Sequence, residues 1–292
     1  MGPEGNAGAS IALPAGFGPR AIPEWFRTWS GVADQADLAI SPALSSSLEP
    51  AGISVLAAGI AARARGGMRT SIRALEGLDS LGYLQRIGFF DQLGVQLPES
   101  FRHHPAEGRF VPLRRIVDEA TAKSVADETA EVLRAQFPGL PSSVLRGAHF
   151  VLEELGVNIV QHSQAPETGF GLAQAYPTER RLQIAFADAG VGFLASLRRN
   201  PELTGRVEDE GEAIQLALKE GVSFSGSEAN LGIGLGFLRS FADLLGGDLW
   251  IASGGALLHR RTISGQRATT VRPISPWHGA WVCLDAPLPG KG

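Results

Sequence analysis

A single cysteine, Cys283, leaves this chain without any possible internal disulfide. No charged leader followed by an apolar core opens it, so the cytoplasm is the expected compartment. Long apolar runs are missing as well. The longest nearly apolar one, Ala51 to Ala62, falls short of the roughly 20 residues that cross a bilayer and reads as a core helix, which speaks against a membrane partner. Basic excess is also lacking. A formal net charge of -4 argues against a nucleic-acid-binding surface and leaves proteins and small anions as the expected partners. No Gly-x-Ser-x-Gly elbow occurs, which removes the commonest serine-hydrolase reading. The His103-His104 pair has no Cys or acidic partner at metal-ligand spacing and reads as a solvated loop. What is present in quantity is apolar side chain, 44% of 292 residues, enough to give one large or two modest domains their own cores.

Residues 1–20, rich in Gly, Ala and Pro without periodicity, read as a disordered leader. A first unit is expected over 21–97: a strand at Asp37–Ile40, an apolar helix at Glu49–Arg65, a strand at Met68–Leu75 and an aromatic-rich helix at Ser80–Leu93, the alternation of an α/β unit. The prolines 98, 105 and 112 mark a connector over 98–115 with one extended piece around Arg109–Leu113. A second unit, 116–292, opens with two consecutive helices, Val117–Phe137 and a run from Pro141 to Gln161. Strands are expected at Gly169–Tyr176, Arg181–Asp188, Asp248–Ser253 and Trp281–Leu284, with helices at Gly211–Glu220 and Phe237–Leu245. Helices on one face of a mixed, mostly antiparallel sheet is the expected α+β arrangement here.

Three segments carry the chemistry. On a helix, Glu154, Asn158 and His162 stand four residues apart and form one slowly drifting stripe that borders the apolar side made by Val151, Leu152, Leu155 and Ile159. In Arg181–Asp188 the alternate residues Leu182, Ile184, Phe186 and Asp188 share a strand face, so a carboxylate joins three apolar side chains and must find donors there. An exocyclic amino group of adenine is such a donor, and the Gly190 and Gly192 that follow let a flat ring approach the backbone. Gly232, Gly234 and Gly236 open a predicted helix, so bare amides and a helix N-terminus offer an anion site. The cluster is neither a dinucleotide fingerprint, which needs glycine at Phe237, nor a Walker loop, since no Lys follows. Taken singly, an amphipathic helix accounts for the first segment as well, an Asp-Gly turn accounts for the second better, and a flexible glycine turn is an alternative for the third.

In this order and at these separations the three segments resemble the GHKL superfamily of ATP-binding domains, which includes histidine kinases, DNA gyrase, mismatch-repair ATPases, heat-shock chaperones and the anti-sigma serine kinases. The resemblance covers about 116–286. It implies ATP with Mg²⁺, Asn158 as metal ligand, Asp188 reading the adenine amino group, Gly190 and Gly192 lining the adenine site, and His162 beside the nucleotide. It further implies Gly232, Gly234 and Gly236 at the phosphates under a mobile lid over 193–231, with Glu154 as general base. Two departures bear on the branch: Gly279-Ala280 stands where members often have Gly-Thr, and no His-bearing hairpin precedes the pocket. The paired helices ahead of Asn158 look most like the anti-sigma serine/threonine kinases. Residues 30–97 are similar to a STAS domain, the antagonist fold such kinases phosphorylate, with Pro50 at the phosphoacceptor position. The implied protein phosphorylates or sequesters a STAS-type or sigma-factor-like partner, with a homodimer among the admitted assemblies. The alternatives are an ATP-driven conformational switch without protein phosphorylation and a non-catalytic scaffold.

Overall fold

The computed structural model describes residues 9–41, 47–73, 80–95, 110–201, 203, 205, 207–219 and 234–290. In its first half, β1 (Ala9–Ala12), β3 (Asp37–Ser41) and β5 (Arg69–Ile72) form a parallel sheet in the order β1-β3-β5, while β2 (Gly16–Phe17) pairs with β4 (Ser47–Leu48). The described part of the expected leader contains two short strands and the start of a 3-10 helix. Ile11 and Leu13 are buried, and Ala9–Ala12 find their backbone partners on Leu38–Ser41 although the segment shows no periodicity. Helix α1 (Ile22–Ser30) packs Trp25, Phe26 and Trp29 inward. Helix α2 (Pro50–Arg65) is apolar nearly all round, and Ala51, Ile53, Val55, Leu56, Ala57 and Ala58 are all buried. The expected aromatic helix is split into α3 (Leu81–Arg86) and α4 (Phe89–Gln92) by Gly88, which takes a left-handed φ of 74°.

In the second half, β6 (Arg114–Arg115), β7 (Phe170–Tyr176), β8 (Arg181–Ala187), β9 (Asp248–Ile263) and β10 (Gln266–Pro287) build a five-stranded sheet in the order β6-β7-β8-β10-β9. All four of its pairings are antiparallel. Helix α5 (Glu119–Gln136) starts at a capping box: Asp118 Oδ1 accepts the Thr121 amide at 2.8 Å, and Thr121 Oγ1 accepts the Asp118 amide at 3.2 Å. Helix α6 (Ser142–His162) begins after Pro141, which has no side chain to cap it. Short helices α7 (Gly192–Leu197) and α8 (Glu210–Ala217) and the longer α9 (Gly234–Leu245) complete the set.

Strand alternation sorts two cores. Leu182, Ile184, Phe186, Leu249, Ile251, Val282 and Leu284 point to the face covered by α5, α6 and α9. Phe170, Leu172, Ala185, Trp281 and Cys283 point to the other face and share a second core with Phe17, Phe26, Leu38 and Leu56 of the first half. Helix α2 packs on β7 and β8 with one side and on β5 with another, which explains a helix hydrophobic all round. Its first turn is pinned by polar contacts: the Ala51 amide donates to Gln183 Oε1 at 3.1 Å, and Trp281 Nε1 donates to the Ala51 carbonyl at 3.2 Å. The helices of the second half lie on one face of its sheet, and the first half covers the other.

Candidate functional site

Helix α6 delivers its stripe to the end of β8. Leu155 and Ile159 of α6, Phe186 of β8, Phe193 of α7, Leu235 of α9 and Val282 of β10 form the apolar wall of a cavity. Asn158, His162, Ser163, Asp188 and Ser196 supply its polar atoms, and Gly192 and Ala280 complete the lining. Of the nine site residues expected from sequence, Asn158, His162, Asp188 and Gly192 thus border one cavity. Glu154 lies one turn before Asn158 on α6 but outside the cavity wall, half-buried, and its carboxyl is pushed up by burial and by the neighbouring Glu153. Gly190 adjoins the cavity through Asp188. Gly234 and Gly236 fall within the first turn of α9. Gly232 lies outside the described residues, as does the His103-His104 pair.

Asp188 is only 5% exposed. Burial drives its carboxyl up to about 6, against the opposing pull of the Gly190 and Ala280 amides, of which Gly190 donates to Oδ1 at 2.8 Å. Among the described residues no Lys or Arg forms an ion pair with it. Its backbone is held from three sides. The Asp188 amide donates to Ala280 O at 2.9 Å, Trp277 Nε1 donates to Asp188 O at 3.0 Å, and Gly279, at φ +105°, brings its own backbone so near that a Cβ there would stand 2.1 Å from Asp188 O. Gly190 is equally constrained, since a Cβ would come within 2.1 Å of Ser163 O at the end of α6. The contacts of Trp277 and Gly279 with Asp188 have no sequence signal, because they act on its backbone across the sheet.

Asn158 commits Nδ2 to the Glu154 carbonyl at 2.8 Å, which leaves Oδ1 as the oxygen it can offer a ligand. Burial and the Arg199 charge hold the His162 imidazole down to about 4, so it is neutral at physiological pH. Arg199 itself donates to His162 O at 2.9 Å and to Ser196 Oγ at 3.2 Å, and Arg198 donates to Glu208 O at 3.0 Å, so both guanidiniums brace local structure. A second support was not foreseen. The amides at the start of α7 donate to two side chains, Phe193 N to Ser253 Oγ at 3.0 Å and Leu194 N to Glu210 Oε2 at 3.2 Å. Glu210 is half-buried and its carboxyl is raised by burial against bonds from Ser253 and Leu194. The expected lid over 193–231 narrows accordingly: Phe193, Leu197, Ala213, Ile214 and Ala217 of α7 and α8 are buried in the first core.

No three His, Cys, Asp or Glu side chains gather at metal-holding distance among the described residues. A divalent cation here would have to draw most of its oxygens from a ligand and from water, the habit of Mg²⁺ on nucleotide phosphates. No family model matches the chain, and no curated protein sequence matches it.

Proposed function

We propose that the cavity between α6 and β8 binds ATP with Mg²⁺, and that the chain is a GHKL-type regulatory protein of the anti-sigma serine/threonine kinase kind, acting on a STAS-type or sigma-factor-like partner by phosphorylating or sequestering it. Asp188 carries the proposal. A carboxylate buried at 5% exposure on an apolar wall, bonded among the described residues to backbone amides alone, is costly unless a ligand donor repays it, and the adenine amino group is such a donor. The same position rejects guanine, whose carbonyl oxygen would face the carboxylate. Asn158 Oδ1 offers a hard oxygen to Mg²⁺, and the first turn of α9 offers amides to phosphates. When bound, the metal would neutralise phosphate charge.

Calorimetry with ATP and Mg²⁺ is the test. The parent should bind ATP far more tightly than GTP, and Asp188→Asn, which turns an acceptor edge into a donor, should weaken ATP by roughly tenfold or more. Equal affinities for ATP in the two proteins would remove Asp188 from the adenine site. Incubation with labelled ATP and candidate STAS partners then tests phosphoryl transfer.

A second reading, an ATP-driven switch without protein phosphorylation, is favoured by one observation: Glu154 stands outside the cavity wall. If Glu154 is the general base, Glu154→Ala abolishes turnover and spares binding. Turnover that survives the substitution favours the switch with another base.

A further inference from the structure

Residues 249–284 contain no Asp or Glu, against Arg260, Arg261, Arg267 and Arg272. The rest of the chain keeps all 30 acidic residues and only 22 of the 26 basic ones, so an acidic body carries one basic arm.

The arm is the outer part of the β9–β10 hairpin, paired from Gln266↔Ile263 to Pro273↔Ala256. Trp250 and His259 lie nine residues apart on β9, about 30 Å along a straight strand. Yet their rings stack at 4.6 Å, so the strand doubles back, and it does so at Gly254 with φ +48°. Two guanidiniums pin the returning arm to the end of α9. Arg260 donates to both Asp243 oxygens, at 2.7 and 2.5 Å, and Arg267 donates to Asp243 Oδ1 at 2.7 Å and to Gly247 O at 2.8 Å. The arm is therefore a rigid strand pair and its charge is only partly neutralised.

Arg261 and Arg272 remain exposed on one face of it. Val271 on the opposite face is 38% exposed, and strand 266–273 pairs with β9 alone among the described residues. Its second edge, with alternate backbone N–H and C=O groups turned outward, has no strand partner among the described residues. Arginines and Pro273 along this edge disfavour pairing with a second, identical edge. A long polyanion such as nucleic acid would meet the acidic body on either side of the arm.

We propose that strand 266–273 is a docking edge for an acidic, extended segment of a partner protein, which adds as a further strand, its carboxylates on the face of Arg261 and Arg272 and its apolar side chains on the face of Val271. This site is separate from the nucleotide cavity, and its test requires no nucleotide. The probe is a fluorescein-labelled peptide of alternating Glu and Val, followed by anisotropy and by amide hydrogen exchange. Binding should weaken with added salt, slow exchange in residues 266–272, and fall by roughly tenfold in the Arg261→Glu/Arg272→Glu double variant, whose fold is verified by its melting curve. A central Pro in the peptide should abolish binding, because it interrupts strand pairing. Absence of binding, binding indifferent to the charge reversal or to the Pro, or tighter binding of a single-stranded DNA oligonucleotide would each overturn the proposal.

Discussion

Asp188 ties affinity to stability at the scale of one side chain. Its folded carboxyl is raised to about 6, above the roughly 3.9 of an unfolded Asp. A group raised on folding favours the native state below its unfolded value, and that contribution is lost as pH rises through the folded one. The unliganded protein should therefore lose on the order of 2 kcal/mol between about pH 4 and pH 6 from this residue. Asp188→Asn keeps the Gly190 bond and removes the charge, so it should raise the melting temperature of the unliganded protein at pH 7 while weakening ATP. A variant less stable than the parent at pH 7 would mean that the buried carboxylate is already compensated within the protein. ATP affinity in the parent should climb through pH 6 as the carboxylate ionises. Gly279→Ala is the complementary probe. With φ +105° and a Cβ 2.1 Å from Asp188 O, it should cost more than about 2 kcal/mol and damage binding, as thermal melts and calorimetry would show. Asp188, Asn158 and Gly192 were legible because residue type and strand or helix period bear on them locally. Gly279 was not, since its constraint comes from a strand neighbour remote in sequence.

Elements were legible where period and caps agree. The helical composition of 117–137, stopped by Pro138-Gly139, and the apolar stripe of α6 mark both helices of the first core in the bare sequence. The β9–β10 hairpin was foreseen only as Asp248–Ser253 and Trp281–Leu284, because Gly254-Gly255, Pro273 and Pro276 read as loop and the arginines replace an apolar face. Cross-strand pairing and Asp243 hold it extended despite that composition. Short α7 has the opposite difficulty. Six residues cannot sustain a helix alone, and its first amides depend on Ser253 of β9 and Glu210 of α8. Glu210→Gln should preserve the Leu194 bond through the remaining oxygen, whereas Glu210→Ala should speed amide exchange at Phe193 and Leu194 and loosen the cavity wall. Because Phe193 and Ser196 line the cavity, the Ala variant should also lose ATP affinity by several-fold, roughly the value of one hydrogen bond. Unchanged exchange at both amides would show that packing alone holds α7.

For the molecule as a whole, the sequence suggests two domains, and a helix of the first packs on the sheet of the second. An apolar helix such as α2 reads as the core of its own small unit, and nothing in residues 50–65 reveals that its outer side meets β7 and β8. The sheet's alternation gives only half of the clue: Trp281 and Cys283 face away from α6, which requires a cover without identifying it. Once Phe26 stacks on Trp277 at 5.0 Å and Gln183 holds the first turn of α2, separating the halves would bare a broad aromatic surface. The two halves should therefore unfold together. Cys283 reports this directly, because it is fully buried in the core between them and burial raises its thiol well above the usual range. Under native conditions a thiol reagent should label it only at the rate of global unfolding, with the same urea dependence as the loss of far-UV circular dichroism. Trp281→Phe removes the bond to Ala51 and some contact area, so labelling and unfolding should accelerate in step. Labelling much faster than unfolding would show the first half lifting off a sheet that stays folded, and would return the chain to two separable domains.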